Sequence, residues 1–436
     1  MAADLKRGLT VFLDSTINLS PISADNSGHE HPEALFVTPR GQLHGFDLFI
    51  DEAGGYNAFI IGTTGAGKSV LMEYIALNYL LSNTRIFIID IGGSYKRFCG
   101  AFEGEYIEID PEKPICLNPW SDILDDAMFT EFQPFLADWY YMMGAPLDLQ
   151  MSNQLEKLIK SSLNTALTNS WKKYGNSSCV DTIISELEEL NNAENERDAR
   201  ISDFIKTIAP YSSTGAFSAL FNGNSEIDFH SKLVVLENGK MENITELRDP
   251  VIMILTFHIS KHIYINERES VRHIVIMDEA HKFLGNPKID LFVDQAYRRF
   301  RKSGASMIIG TQGFEDLYDG QHTSKAGRTI VYNSNYKIFM FQTPVSRQRI
   351  KQSNLFDLSA YYNEMLDSVL PLSGVYSELM IMSGRGNVKL RLYLPELLKA
   401  LFFTGKEIRM QIEQLVESGL SYVEAVKRAA GGREKC

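Results

Sequence analysis

Eight residues, Gly62-Thr63-Thr64-Gly65-Ala66-Gly67-Lys68-Ser69, fit the spacing G-x-x-x-x-G-K-[ST]. That spacing is phosphate chemistry. Glycines let successive backbone N–H groups turn inward on an anion, and a helix opening directly behind them adds partial positive charge. Lys68 would reach the β- and γ-phosphates and the Ser69 hydroxyl would hold Mg²⁺. Gly62, Thr63, Thr64, Gly65, Ala66, Gly67, Lys68, Ser69 and Val70 are therefore the candidate nucleotide-binding residues. About 210 residues later, Ile274-Val275-Ile276-Met277 runs into Asp278-Glu279. An apolar strand ending in two acids is a weak signal alone and a specific one behind a P-loop. Asp278 would hold Mg²⁺, directly or through water, and Glu279 would polarise the attacking water as general base. A third strand, Ser306 to Thr311, ends at Gln312, which would lie beside the γ-phosphate and sense it. Lys68, Glu279 and Gln312 so describe Mg²⁺-dependent ATP hydrolysis.

Two other groups of residues invite chemistry. The run Tyr297-Arg298-Arg299-Phe300-Arg301-Lys302 closes a helix. Its basic residues either solvate the helix C-terminus, where the dipole favours them, or reach the nucleotide of an adjacent subunit. Arg298, Arg301 and Arg328 are the candidates for that second role. His258 and His262 stand four apart on a helix expected over roughly Pro250 to Ile265, which is metal-ligand spacing. Ile259 replaces the glutamate that an H-E-x-x-H zinc site needs, so packed or exposed histidines are expected.

The elements around these residues alternate as an α/β fold does. Asn57 to Ile61 reads as the buried strand entering the P-loop and Val70 to Leu77 as the helix leaving it. Arg85 to Asp90 is a continuous apolar run, the mark of a parallel strand buried on both faces. Its Asp90 and the turn Ile91-Gly92-Gly93-Ser94 fall at a strand C-terminus, where such folds gather ligands. Ala34 to Val37 and His44 to Ile50 predict a hairpin over Pro39-Arg40-Gly41, at the sheet edge near the nucleotide. Between residues 121 and 230 strand signals vanish and helical spacing takes over, as at Leu155, Leu158, Ile159, Leu163, Ala166 and Leu167. The expected organisation is an N-terminal segment (1–34), a P-loop α/β domain (35–120 and 231–436) and an all-helical insertion (121–230). Residues 344–365 are expected to be helical, with a hairpin over Gly384-Arg385-Gly386 and two or three C-terminal helices.

Bulk properties narrow the class. The chain has 436 residues and a net charge of −12, which argues against a surface that grips nucleic acid throughout, though not against a local basic channel. Four widely spaced cysteines without C-x-x-C fit neither a disulfide framework nor a zinc ribbon, and suit a reducing cytosol. No apolar run approaches the ~20 residues that span a bilayer. The segment Met1 to Arg7 lacks the apolar stretch of a signal peptide, so membrane association is expected through partners or a surface patch.

Taken in order, these motifs resemble a known family. The P-loop, Ile89-Asp90-Ile91-Gly92-Gly93-Ser94-Tyr95-Lys96, Cys116-Leu117-Asn118-Pro119, the helical insertion, Met277 to His281, Arg298 to Lys302, Gly310-Thr311-Gln312 and Tyr376-Ser377-Glu378 are similar to the C-terminal ATPase half of the TraC/VirB-type ATPases of conjugative type IV secretion systems. The Asp-x-Gly-x-Ser-Tyr variant is closer to the F-plasmid-like TraC branch. The resemblance spans roughly residues 35–430. It implies a RecA-like motor with a helical subdomain, ATP and Mg²⁺ as cofactors, and a hexameric or dimer-to-hexamer assembly. It also implies a cytoplasmic place at the bacterial inner membrane, at the base of the secretion channel, with inner-membrane components and a coupling protein as partners. Relatives of this kind carry a comparably large N-terminal domain, so a shortened chain or an unusually short member is expected. The alternative is a double-stranded DNA translocase of the coupling-protein or FtsK/HerA type, marked by DNA-stimulated, steeply salt-dependent turnover.

Overall fold

A computed structural model describes residues 25–50, 55–144, 153–193, 197–265, 271–282, 284, 290, 293–294, 297, 300, 303–318, 323–353, 355–356 and 358–402, together with 406–431. Among them are strands β1 (Ala34–Val37), β2 (Leu43–Phe46), β3 (Ala58–Ile61), β4 (Arg85–Asp90), β5 (Glu105–Glu108), β6 (Leu233–Glu237), β7 (His273–Met277), β8 (Ala305–Thr311), β9 (Tyr336–Phe339), β10 (Tyr376–Ser383) and β11 (Gly386–Tyr393). They form one sheet in the order β2-β1-β11-β10-β9-β3-β8-β7-β4-β6-β5. From β9 to β5 every pair is parallel, and from β9 to β2 every pair is antiparallel. The fold is α/β with a mainly parallel central sheet, as the sequence predicts.

The continuous apolar strands are explained by a core on each face. Side chains alternate across a strand, so Phe59 and Ile61 enter one core while Ala58 and Ile60 enter the other. Phe87/Ile89 against Ile86/Ile88, and Val275/Met277 against Ile274/Ile276, divide the same way. One core is closed by the helices between β5 and β7, chiefly Asp126–Gly144, Asn153–Tyr174 and Thr245–Ile265. The other is closed by the P-loop helix Lys68–Leu81 and the C-terminal helices Glu396–Phe402, Lys406–Glu417 and Tyr422–Gly431. Among the described residues no strand lies between Glu108 and Leu233. The helices there share their core with the sheet, through Trp120, Trp139 and Tyr140.

Two expectations need correction and one is refined. The β1–β2 hairpin does lie at the sheet edge, but it pairs with β11, and none of its residues lines the P-loop cavity. Residues 344–365 form two helices, Pro344–Gln352 and Ala360–Asp367, because Ser359 caps the second by accepting from the Tyr362 N–H. The helix expected from Pro250 begins at Thr245 instead. Proline has no N–H to give the Glu246 carbonyl, and the Tyr211 hydroxyl donates to that carbonyl at 2.8 Å instead.

Candidate functional site: a P-loop cavity at the C-terminal ends of the parallel strands

Three adjacent strands bring the candidate residues together. The P-loop leaves β3 pinned between its neighbours: Gly62 N–H donates to the Thr311 carbonyl of β8 at 3.1 Å, and Thr63 N–H to the Phe341 carbonyl beyond β9 at 3.1 Å. Gly65 and Gly67 sit at φ +83° and +92°, the left-handed region that glycine enters freely. The helix Lys68–Leu81 starts at once, with Gly67 as N-cap and no side chain bonding its first turn. Its N-terminus is thus open to an anion. Gly62, Thr63, Thr64, Gly65, Gly67, Lys68, Ser69 and Val70 line a cavity of about 480 Å³. Ala66 does not: it is buried, and its N–H turns back to the Thr63 carbonyl.

Opposite the loop stand the acids from β7. Lys68 Nζ lies 2.5 Å from Glu279 Oε1 and 3.0 Å from Asp278 Oδ1. Burial pulls the Lys68 ammonium down, but the two carboxylates outweigh it and hold it above its ordinary value. Glu279 reaches Lys68 from a left-handed backbone, φ +53°, which costs a non-glycine residue of order 1–3 kcal/mol. Gln312, at the end of β8, donates from Nε2 to Glu279 Oε2 at 2.8 Å. Ser69 Oγ donates to Asp278 Oδ2 at 2.8 Å. A hydroxyl beside a carboxylate is a hard-oxygen donor set, and it fits an Mg²⁺ that keeps most of its waters. Such an ion would supply charge neutralisation for phosphate oxygens.

Some functional positions carry no clear mark in the sequence. The Tyr95 hydroxyl, fully buried, donates to Asp278 Oδ2 at 3.0 Å, so one carboxylate oxygen is held by Ser69 and Tyr95 together. The Asp-x-Gly-x-Ser-Tyr pattern shows this tyrosine but not its partner. The turn after β4 is shaped by β6: Glu237 accepts from Gly92 N–H at 3.0 Å and Gly93 N–H at 2.8 Å. Burial, and then the Glu237 charge, push the neighbouring Asp90 carboxyl well above the usual range. Lys282, Arg97, Arg409 and Glu413 also line the cavity. Arg409 and Glu413 come from the helix Lys406–Glu417, where no local signal points to a nucleotide.

Glu73 lies behind the cavity on the P-loop helix, buried, with neither carboxyl oxygen hydrogen-bonded. Burial pushes its carboxyl well above the usual range, and Arg97 only partly offsets this. A raised carboxyl value means that ionisation opposes folding, a penalty absent below the unfolded value of 4.5 and growing as pH rises above it. Glu73→Gln is expected to raise Tm by about 2–4 °C at pH 8 and to leave it unchanged near pH 4. Thermal melts at the two pH values check this.

The remaining candidates do not converge. Arg298 and Arg301 lie outside the described residues. Arg328 is exposed on the helix Lys325–Asn333, with its guanidinium donating to the Thr323 carbonyl at 3.2 Å, and it does not line this cavity. His258 Nδ1 lies 2.9 Å from Asp122, and the His262 ring packs against Phe87 and Phe229.

Comparison with known proteins agrees with this architecture. Protein TraC of Escherichia coli (strain K12) is 26% identical over 436 residues, covering 95% of this chain and 47% of that protein. The chain therefore spans about half the length of that curated relative. The structure of VirB4 of Thermoanaerobacter pseudethanolicus superposes with a TM-score of 0.69 at 19% identity, covering 85% of this chain and 98% of that one. Plasmid coupling protein TrwB in complex with ADP and Mg²⁺ gives a TM-score of 0.56 at 14% identity, over 84% of this chain and 91% of that one. The TraG P-loop domain matches residues 51–432, nearly the whole of the sheet and both helical layers, and the chain belongs to that family.

Proposed function

We propose that this chain hydrolyses ATP with Mg²⁺ and that the energy drives conjugative type IV secretion. The observation that carries the chemistry is the convergence of Lys68, Ser69, Asp278, Glu279 and Gln312 at the ends of three neighbouring strands. The P-loop amides and Lys68 bind and neutralise the phosphates; Ser69 and Asp278 hold Mg²⁺. A triphosphate in the cradle competes with Glu279 for the Lys68 ammonium. Glu279 Oε1 is then released toward the attacking water, while Gln312 keeps hold of Oε2. The secretion role rests on similarity to TraC, to the conjugal transfer protein TrbE and to the type IV secretion proteins CagE and virB4. On this reading the chain works in the cytoplasm, peripheral to the bacterial inner membrane. Its partners are the channel's inner-membrane components and a coupling protein, and residues 121–230 form its helical subdomain. No described helix is long and apolar enough to cross a membrane.

The working unit on this reading is a ring, since no arginine beyond Arg97 and Arg409 lines the cavity among the described residues. An arginine supplied by a neighbour contributes ~10³–10⁵ in rate where such fingers operate. Turnover per chain is expected to rise with protein concentration, and the particle mass to rise on adding ATP. At least one of Arg298→Ala, Arg301→Ala and Arg328→Ala should abolish that rise in turnover. Light scattering with ATPase assays across a dilution series tests the proposal. Turnover independent of concentration and indifferent to all three changes would sink the ring.

A further inference from the structure

Gln312 stands in a turn that an acid outside the cavity holds from both sides. β8 ends at Thr311, and Phe314–Asp316 makes a single 3₁₀ turn directly after Gly313. Asp316 reaches back across that turn. Its Oδ2 accepts from the Thr311 hydroxyl at 2.5 Å and from the Gly313 N–H at 3.0 Å. One carboxylate oxygen therefore fixes the residue before Gln312 and the residue after it. The contact to Gly313 is an ordinary capping contact, an acid reaching back to the amide that precedes a helical turn. Capping does not call for the contact to Thr311, a strand residue that is fully buried.

The rest of the turn is held too. The Thr311 carbonyl accepts from the Gly62 N–H, the first amide of the P-loop, at 3.1 Å. Phe314 is buried against Tyr318 and Phe356, and its N–H donates to Ser346 Oγ at 3.4 Å. From this frame the Gln312 side chain leaves on the cavity side, where its Nε2 donates to Glu279 Oε2 at 2.8 Å. Gln312 lines the cavity and Asp316 does not. A glutamine side chain turns about several bonds, so one hydrogen bond to Glu279 does not set where its backbone stands. The frame does. A misplacement of ~1 Å at a reacting centre is enough to cost on the order of a hundredfold in rate.

We propose that Asp316 is the positioning residue for Gln312: by clamping Thr311 and Gly313 it sets the reach of the glutamine amide to Glu279 and to the γ-phosphate. The proposal rests on reading Gln312 as part of an ATP-hydrolysing site, and its test separates the two. ATPase rates and Mg-ATP affinities are measured on the full chain, at a protein concentration where turnover per chain has levelled off. The variants are Asp316→Ala, Asp316→Asn, Thr311→Val, Gln312→Ala and the double variant Gln312→Ala with Asp316→Ala. Asp316→Ala is expected to lower kcat by roughly tenfold to a hundredfold and to change ATP affinity by less than about threefold. Thr311→Val keeps the shape and loses one donor, so it should show a smaller loss of the same kind. Asn keeps an acceptor oxygen for both donors, so Asp316→Asn should recover most of the lost turnover. The double variant should be no slower than Gln312→Ala alone, because the clamp has nothing to position once the amide is gone. A parent chain that binds ATP without hydrolysing it overturns the hydrolytic reading, and the clamp with it. Gln312→Ala at the parent rate removes Gln312 from the chemistry, with the same consequence. A slow Gln312→Ala beside an Asp316→Ala of parent rate overturns the clamp and leaves the site standing. So do losses that multiply in the double variant, an Asp316→Asn as slow as Asp316→Ala, or an ATP affinity that falls as far as kcat. Thermal melts identify a variant that does not fold. If Asp316→Ala is one, Thr311→Val decides, and its turning over at the parent rate overturns the clamp.

Discussion

Glu279→Gln is expected to lower ATP turnover by about 10²–10⁴-fold while leaving ATP binding as tight as before or tighter. The amide keeps the shape of the side chain and its place beside Gln312, but it cannot take a proton from water. It also removes one of the two carboxylates that hold Lys68 at 2.5 and 3.0 Å, so the ammonium is freer for phosphate. The two effects move opposite ways, which a loss of folding cannot imitate. Single-turnover hydrolysis with filter binding of labelled ATP separates them. A variant that still turns over at the parent rate would remove Glu279 as the base.

Lys68→Ala is expected to fail earlier, at binding. The phosphates lose a cation that is 6% exposed and therefore little screened by water, and ATP affinity should fall by on the order of a hundredfold or more. The same change leaves Asp278 and Glu279 facing each other without their counter-ion. Breaking a pair at a buried site costs several kcal/mol; discounted for the part of Glu279 that reaches solvent, about 1–3 kcal/mol of stability should be lost at pH 7. The pH dependence has a definite sign. The folded value of Lys68 is raised above 10.5, so its contribution is complete below pH 10.5 and is lost as pH rises through the folded value. Denaturant titrations at pH 7 and above pH 10.5 should therefore show the gap between parent and variant narrowing at the higher pH. Lys68→Arg, which keeps the charge, should recover stability more fully than it recovers ATP binding.

The chemical core of the site was legible because it is local. Each of its parts is a strand followed directly by its functional turn: β3 by Gly62 to Ser69, β7 by Asp278-Glu279, β8 by Gln312. A parallel strand buried on both faces writes an unbroken apolar run, and its end is where polar residues begin. Two expectations differ from the structure. The helix expected from Pro250 begins at Thr245 and accepts the proline in its interior, the orphaned Glu246 carbonyl going to the Tyr211 hydroxyl. The β1–β2 hairpin looked close to the nucleotide because it is close in sequence, yet β9, β10 and β11 stand between it and β3.

By itself, the sequence determined the P-loop, the two acids facing it, the glutamine at the end of β8 and the mainly parallel sheet that carries them. Those depend on short-range patterns: glycine spacing, apolar runs and the residue types at strand ends. Only the tertiary structure decided that Tyr95 grips the same Asp278 oxygen as Ser69, and that Glu237 holds the Gly92-Gly93 turn. It alone decided that Arg409 and Glu413, near the end of the chain, close a cavity opened by Gly62. The physical reason is common to all of them. Such contacts join residues far apart in the chain, and they exist only once the order of strands in the sheet is fixed. That order is set by how two cores pack on opposite faces, and no local spacing encodes it.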